Sequence, residues 1–138
     1  MDPRALYGLL KLRSDVFVVE QECAFLDPDG RDCEAETRML WGELDGEVVA
    51  TLRILRDAAE LRIGRVAVLQ SQRGTGIAQS MMRYALGVCA ELDPVLDIVL
   101  DAQAPLEGWY GTFGFVRDGE TFLEDGIPHV PMRRAAAA

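Results

Sequence analysis

Three short segments rich in β-branched and other apolar residues follow one another in the first half of the chain, joined by tight turns. "TRMLWGEL" and "EVVATLRIL" flank Asp45-Gly46, a dipeptide that favours the two-residue turn of a β-hairpin. A second turn near Asp57 leads into "LRIGRVAVL". This pattern predicts an antiparallel meander of three strands, and it argues against a doubly wound parallel sheet.

Helical patterns stand on both sides of the meander. Asp2 is a suitable N-cap and Pro3 a suitable first residue for a helix, and the following apolar residues recur at helical spacing up to Phe17. From Glu20 onward the pattern breaks into a polar loop, with a turn at "DPDG". After the meander, "IAQSMMRYALGVCAEL" repeats the helical spacing until Asp93-Pro94, which predicts the end of the second helix.

The remaining chain predicts further strands around one short helix. "VLDIVLDA" is typical of a strand, and Pro105 marks the start of a helix that Gly114 ends. "FGFVRDGETFLED" and "PHVPMRR" are typical of closing strands. We therefore predict a single domain of the α/β (α+β) class over residues 1–134, built around one mixed sheet, with a disordered tail at 135–138.

The charge balance of the chain is acidic. Its 14 lysines and arginines against 23 aspartates and glutamates give a formal net charge of −9. Such a surface repels nucleic acid and attracts a cationic small molecule or peptide, although acidic charge also serves solubility alone. The apolar runs are too short to span a bilayer and the first residues show no signal-peptide pattern, so we expect a cytoplasmic protein.

The cysteines give no sign of a disulfide framework or a metal site. Cys23, Cys33 and Cys89 are irregularly spaced, and no CxxC pair is present. We expect reduced thiols and no bound metal, with a Cys23–Cys33 bridge as the alternative.

The stretch "QSQRGTGIAQSMM" (residues 70–82) joins the third predicted strand to the second helix. A helix N-terminus leaves backbone N–H groups unpaired and carries about half a positive charge, and the glycines at 74 and 76 allow a phosphate close to the backbone. Arg73 adds a guanidinium, although the same residues also suit a plain turn. The P-loop pattern is absent, and Gln79 stands where the dinucleotide fingerprint needs a small residue.

Two motifs in this order carry a family resemblance. "RVAVLQSQRGTGIAQSMM" resembles an acyl-CoA-binding signature, because Arg73, Gly76 and Ala78 match the pattern [RQ]-x-x-G-x-[GA]. Downstream, "YGTFGF" matches the pattern Y-x-x-x-G-F with Tyr110 and Gly114. Both are signatures of the GCN5-related N-acetyltransferase (GNAT) superfamily, which the chain therefore resembles.

A narrower resemblance runs over nearly the whole chain. "FVVEQECAFLDPDGRD", "IGRVAV", "DAQAPLEGWYGTFGF" and "LEDGIPHVPMRR" are together similar to the ElaA-type GNAT proteins. The resemblance implies the GNAT fold, with a mostly antiparallel twisted sheet flanked by helices. It also implies acetyl-CoA as donor and an amine as acceptor.

The resemblance further implies where the donor binds. The pyrophosphate would lie on backbone N–H groups of the glycine loop, and the pantetheine arm would pair with the main chain before it as an added strand. Gln103 stands where many members carry an asparagine, so we expect its amide near the pantetheine. The donor-binding residues expected on this basis are Val66, Ala67, Val68, Arg73, Gly74, Thr75, Gly76, Ile77, Ala78, Gln103 and Tyr110.

The resemblance makes Tyr110 the candidate catalytic acid. When an amine attacks the thioester, a CoA thiolate leaves, and a phenol within hydrogen-bond reach can protonate or stabilise that sulfur. The alternative is that Tyr110 only packs in the core beside Trp109.

The general base has three candidates. Several family members use a glutamate early on the strand before the glycine loop, but Arg62 stands at the nearest position and cannot serve. Glu20, with Glu22 beside it, lies in the loop expected on the acceptor side, and His129 has a suitable imidazole near the last strands. A relay through water is the third possibility.

These features predict an acetyl-CoA-dependent N-acetyltransferase. It would transfer the acetyl group to a primary amine, on a small molecule or a peptide, directly in a ternary complex. The alternatives are a CoA-binding module that senses or docks without catalysis, and a purely structural domain without a ligand. Exposed strands of small α/β domains often pair, so we also consider a homodimer.

Overall fold

A seven-stranded sheet forms the centre of the protein, of which the computed structural model describes residues 2–21 and 29–136. Its strands are β1 (Arg38–Leu44), β2 (Glu47–Arg56), β3 (Glu60–Val68), β4 (Asp97–Gln103), β5 (Val116–Arg117), β6 (Phe122–Glu124) and β7 (Ile127–Arg134). The order across the sheet is β1-β2-β3-β4-β7-β5, and β6 also pairs with β7. All these pairings are antiparallel except β3–β4, which confirms the predicted mixed, mostly antiparallel sheet.

The first three strands form the predicted meander. Asp45 (φ 52°) and Gly46 (φ 80°) both adopt the left-handed conformation that a tight hairpin turn requires. The same conformation recurs at Asp125 (φ 51°) and Gly126 (φ 78°), which join β6 to β7. The Asp-Gly pair therefore forms the turn of both hairpins, although only the first is predicted from the sequence.

The described part of the chain has three α-helices around the sheet: α1 (Pro3–Arg13), α2 (Ile77–Leu92) and α3 (Glu107–Gly111). The Asp2 side chain accepts the backbone N–H of Arg4 at 3.1 Å, as expected of an N-cap. A wider π-helical segment, Ser14–Glu20, continues α1, so Glu20 ends a helical segment and does not begin a loop. Within the described ranges, none of the helices is long and apolar enough to cross a membrane.

The two faces of the sheet carry separate apolar clusters. Leu9 and Leu12 of α1 pack with Ala67 of β3, whereas Val66 and Val68 pack against the larger cluster that includes α2. This alternation along β3 follows from the period of two in a strand. The sheet is therefore covered by α1 on one face and by α2 on the other.

A buried ion network ties the segment after α1 to the sheet. Arg13 and Arg53 are 1% and 5% exposed, and both donate to Asp32, at 3.1 and 3.3 Å. Arg53 also donates twice to Asp29 at 2.8 Å, and this guanidinium holds the pKa of the Asp29 carboxyl well below its usual range. The carboxylates compensate guanidinium charges that would otherwise be buried at high cost.

Some expectations fall on residues that are not described. Cys33 and Cys89 carry free thiols, the first exposed and the second buried, while Cys23 and the first two residues of the predicted "DPDG" turn lie outside the described residues. Of the predicted tail, residues 137–138 also lie outside them. The backbone N–H of Ala136 donates to Asp97 at 2.8 Å.

Candidate active site

The sheet opens between β3 and β4. These two strands pair only over Glu60–Arg62 and Asp97–Val99, yet β3 continues to Val68 and β4 to Gln103. On its other side, β3 stays paired with β2 as far as Val68, and β4 stays paired with β7 as far as Gln103. The backbone edges that face the gap are therefore available to a ligand that can hydrogen-bond like a strand.

A β-bulge in β3 accompanies this divergence. Gly64 and Ala67 are opposite Arg53 and Thr51 of β2, so two residues of β3 stand against one residue of β2. Arg65, in the bulge, has a φ of 51°, which is rare for a residue with a side chain. A bulge bends its strand and often lies beside a functional site, and here it falls just beyond the last β3–β4 pair.

The glycine loop after β3 has the geometry of an anion cradle. Gly74 (φ 81°) and Gly76 (φ 90°) are both left-handed, and a Cβ placed on either would meet nothing within 4 Å. Gly76 caps α2 without any side-chain hydrogen bond, and Ser80 makes the first bond of the helix, to the Gly76 carbonyl at 3.1 Å. The N–H groups that precede Ser80 at the helix start have no partner within the helix, as an anion site requires.

Thr75 contributes to the loop conformation through its side chain. Its hydroxyl donates to the carbonyl of Gln72 at 2.6 Å. That bond closes the loop on the short 3₁₀ turn Gln70–Gln72, which follows β3. The backbone between the two glycines is therefore held in place by a local contact.

Arg73 lies at the mouth of this loop with four hydrogen bonds. Its Nε and Nη2 donate to the Val68 carbonyl at 3.1 and 2.9 Å. Its Nη1 and Nη2 also donate to the two carboxylate oxygens of Glu20 at 2.8 and 3.0 Å. The guanidinium is thus beside the anion cradle and is paired with a carboxylate in this structure.

A second contact links the same helical segment to β4. The side-chain Nε2 of Gln103 donates to Oε1 of Gln21 at 3.0 Å. Since Glu20 and Gln21 are consecutive, they join the loop after β3 to the last residue of β4. We call these two residues the bridge; they connect the two sides of the opening.

Tyr110 lies in α3, within the apolar cluster against which Val66 and Val68 also pack. The rings of Trp109 and Phe115 contact it edge-on, with centroids 4.9 and 6.2 Å away. Burial raises the pKa of the Tyr110 phenol to about 12, so it carries its proton at neutral pH. In the described ranges, no residue makes a hydrogen bond with its hydroxyl, which leaves the O–H free to donate to a ligand.

His129 stands opposite Gln103 in the β4–β7 pairing. Its Nδ1 lies 2.8 Å from the Ile127 carbonyl, which only accepts, so Nδ1 carries a proton and donates. In the neutral ring the lone pair is then on Nε2, 3.8 Å from a carboxylate oxygen of Glu124. Phe122 stacks on the imidazole at 5.9 Å.

The structure therefore brings several predicted residues to the two sides of one opening. Gln103 and His129 lie together at the end of β4, and Glu20 is joined to them through Gln21. Glu22 lies outside the described residues. Arg62, which stands nearest to the position where several family members are expected to carry a glutamate, donates to Asp101 at 3.2 Å.

Sequence reasoning missed Gln21 and the bulge at Arg65. The Gln21–Gln103 contact spans 82 positions and leaves no local pattern. The bulge had a faint signal, since Arg65 interrupts an apolar run in "LRIGRVAVL". Among the described residues, no group of three or more His, Cys, Asp or Glu is arranged to hold a metal ion.

Comparison with known proteins agrees with this geometry. The family model of the acetyltransferase (GNAT) domain matches residues 28–136. The UPF0039 protein Rv2851c of Mycobacterium tuberculosis is 50% identical over 97% of this chain and 86% of its own length.

Two solved structures are also similar over nearly the full chain. An acyl-CoA N-acyltransferase from Pseudomonas aeruginosa has a TM-score of 0.92 and 40% identity, covering 98% of this chain and 93% of its own. Escherichia coli ElaA has a TM-score of 0.92 and 41% identity, covering 96% and 92%. The chain belongs to the GNAT acetyltransferase family, with the fold of its acyl-CoA-dependent acyltransferases and ElaA among its homologues.

Proposed function

We propose that this protein is an acetyl-CoA-dependent N-acetyltransferase that transfers the acetyl group to a primary amine directly, in a ternary complex. The observation that carries the proposal is the opening between β3 and β4, together with the start of α2 at Gly76, which no side chain caps. A strand-like arm that ends in a pyrophosphate, as in acyl-CoA, suits both features at once. The similar protein from P. aeruginosa is an acyl-CoA N-acyltransferase, and this supports the same donor class.

The donor would be held mainly by backbone. The N–H groups from Arg73 to Ala78, including those of Gly74, Thr75, Gly76 and Ile77, would bind the pyrophosphate, with the helix dipole favouring its negative charge. The main chain of Val66, Ala67 and Val68 would pair with the pantetheine arm, and the Gln103 amide would contact it from the β4 side.

Tyr110 would assist departure of the CoA thiolate. The amine nitrogen forms a bond to the acetyl carbon, the carbon–sulfur bond breaks, and the electron pair goes to sulfur. A phenol with a pKa of about 12 is a weak acid toward a thiolate of ordinary pKa about 8.5. We therefore assign to Tyr110 a strong hydrogen bond to the developing thiolate, which stabilises the charge without full loss of the phenolic proton.

His129 is the leading candidate for the base. An alkylamine has a pKa of about 10.4, so removing its proton at pH 7 costs about 4–5 kcal/mol. The Nε2 lone pair of His129 is available in the tautomer that the Ile127 carbonyl selects, and Glu124 would stabilise the charged ring. A water relay toward this nitrogen is compatible with the same assignment.

Glu20 is the second candidate, and its role depends on the donor. Both of its oxygens accept hydrogen bonds from Arg73 in this structure. A phosphate that draws Arg73 toward the cradle would free the carboxylate, because a guanidinium fork fits phosphate and carboxylate alike. Glu20 would then become available on the acceptor side once the donor is bound.

The acceptor would be a cationic amine, on a small molecule or a peptide. The net charge of −9 attracts such a molecule. The test is to incubate the protein with acetyl-CoA and a panel of polyamines, amino acid amides and lysine peptides, following thiol release and the mass of the amine. Release of CoA with acetylated amine supports the proposal; binding of acetyl-CoA in calorimetry without any transfer across the panel indicates a non-catalytic CoA-binding module.

A further inference from the structure

The opening between β3 and β4 has a closed end, where Arg62 and Val99 form the last pair of the two strands. Its other end lies toward the glycine loop, which follows β3 and would hold the donor pyrophosphate. In acyl-CoA the thioester is at the end of the pantetheine arm that is far from the pyrophosphate. An arm that pairs with the main chain of Val66 and Val68 therefore extends from the glycine loop toward the closed end and brings the acetyl group there.

Asp101 lies on β4 just past this closed end, two residues beyond Val99, and its side chain is 33% exposed. The residues of β4 that pack in the apolar cluster with α2 are Ile98, Leu100 and Ala102. Asp101 alternates with them, so its side chain faces the other side of the sheet, together with that of Gln103. A carboxylate is thus placed on one face of the sheet at the point that the acetyl group would reach.

The same face carries the candidate base. Asp101 is opposite Pro131 in the β4–β7 pairing, and His129 is two residues from Pro131 on β7. Asp101 and His129 are therefore diagonal neighbours on one face, a relationship that places Cα atoms about 7–8 Å apart. Tyr110 belongs to the apolar cluster on the other face. The arriving amine and the leaving sulfur would thus meet different faces of the sheet.

The negative charge of Asp101 is only partly compensated. Nη1 of Arg62 donates to its Oδ2 at 3.2 Å, and no described residue donates a hydrogen bond to its Oδ1. The Arg62 guanidinium also lies 3.7 Å from carboxylate oxygens of Asp57 and of Glu60, although these two pair with further arginines as well. One cation is thus shared among three carboxylates. The remaining oxygen of Asp101 can accept a charge-assisted hydrogen bond from an ammonium group.

We propose that Asp101 binds the ammonium group of the acceptor and places the amine at the closed end of the opening, with Arg62 holding the carboxylate in position. This role of Asp101 depends on the proposed acetyl transfer, and it makes an alkylammonium the preferred acceptor over a neutral or anionic molecule. The bound ammonium gives one proton to Nε2 of His129, directly or through water, and the neutral nitrogen then attacks the acetyl carbon. The carbon–sulfur electron pair goes to sulfur, to which Tyr110 donates its hydrogen bond.

Asp101→Asn tests this role, because the substitution removes the charge and keeps the size of the side chain. The substrate is the amine of the panel that the wild type acetylates fastest. Its KM is expected to rise at least about tenfold, with most of the loss in KM and not in kcat, and acetyl-CoA affinity should stay unchanged. An unchanged KM would overturn the role of Asp101 and leave the acetyl transfer itself intact.

Asp15→Asn is the matched control, since it removes the same charge and one ion pair, with Lys11 at 2.6 Å. Asp15 lines a cavity together with Gly46 and Glu47, at the β1–β2 turn and therefore away from β4. The KM of this variant should equal that of the wild type within about twofold. If both variants raise KM alike, the net charge of the protein attracts the amine and Asp101 has no special role.

A binding measurement covers the case in which the wild type acetylates no amine of the panel, a result that would count against the proposed function. Calorimetric titration of the CoA-bound protein with spermidine measures cation binding without turnover. Binding at least about fivefold weaker in Asp101→Asn than in Asp15→Asn would support Asp101 as the ammonium site even then. Equal binding by the two variants would overturn it.

Discussion

Glu20 and Arg73 lie 53 positions apart, and both carboxylate oxygens of Glu20 accept hydrogen bonds from the Arg73 guanidinium, at 2.8 and 3.0 Å. Arg73 is the first fixed residue of the acyl-CoA-binding signature. In this structure the residue expected near the donor phosphates is therefore held by an internal anion. Donor binding and the position of the bridge, Glu20 and Gln21, are linked through this one guanidinium.

Glu20→Gln is expected to tighten CoA binding about two- to fivefold, because exposed ion pairs of this kind are worth about 0.2–1 kcal/mol and Arg73 would be freed of its competitor. Calorimetric titration with CoA measures the change. Glu34→Gln is the matched control, since it removes a similar two-bond pair with Arg31 far from the cradle and should leave affinity unchanged. Weaker binding by Glu20→Gln would show that the pair supports the donor site instead.

Gly76→Ala is expected to lower acetyl-CoA affinity at least about tenfold and stability by about 1–2 kcal/mol. The backbone there has a φ of 90°, which costs energy with a side chain, and the added methyl would occupy space that a phosphate needs. Calorimetry and urea denaturation give the two values.

Gly87→Ala serves as its control, because Gly87 lies inside α2 in ordinary helical conformation with open space around its Cα. That variant should be as stable as the wild type or more so, and should bind acetyl-CoA equally well. Equal effects of the two substitutions would rule out a special role for the loop glycine.

Tyr110→Phe is expected to lower the turnover number at least about tenfold while acetyl-CoA affinity stays nearly constant. The phenyl ring keeps the packing with Trp109 and Phe115 and removes only the hydroxyl. Steady-state kinetics with an accepted amine, alongside calorimetry, separate the two quantities. Tyr7→Phe, at an exposed position, should change neither, and full activity of Tyr110→Phe would exclude the hydroxyl from the mechanism.

Stability is expected to fall at alkaline pH because of two buried acids. Burial raises the pKa of Cys89 from 9.0 to about 11 and that of Tyr110 from 10.0 to about 12. Below pH 9 both groups hold their protons in folded and unfolded chains alike. Above it the unfolded chain releases protons that the folded chain keeps, so unfolding becomes more favourable, by roughly 3 kcal/mol per group across its interval.

Urea denaturation between pH 8 and pH 11.5 tests this. Cys89→Ala should flatten the decline that starts near pH 9, and Tyr110→Phe the part that starts near pH 10. Identical pH profiles for the wild type and both variants would show that other groups cause the loss.

The meander and the glycine loop could be predicted from sequence because their signals are local. Asp45-Gly46 specifies a turn, and Gly74 and Gly76 hold the conformation for which glycine is suited. The bridge could not be found in this way, since Glu20 was expected in a loop and Gln21 has no motif. Its position depends on a helix that widens and continues where propensity predicted an end.

The candidate general bases show the same limit of sequence reasoning. His129 was identified as a residue type with suitable chemistry, but its tautomer follows from a carbonyl two positions earlier in the same strand. The choice of tautomer depends on the backbone path of β7 and on the side-chain torsions of His129. Neither can be predicted from composition or from the spacing of residues.

The short pairing of β3 with β4 has a mechanical consequence. Among the described residues, three backbone pairs between β3 and β4 join β1–β3 to the rest of the sheet, so the sheet has two halves with a short connection between them. A ligand that hydrogen-bonds to both β3 and β4 along the gap would connect the two halves of the sheet over the length where the strands do not pair with each other. Amide hydrogen exchange should then slow at the C-terminal ends of both β3 and β4 when the donor is bound. The two halves of the sheet would then open together, as one cooperative unit that includes the donor.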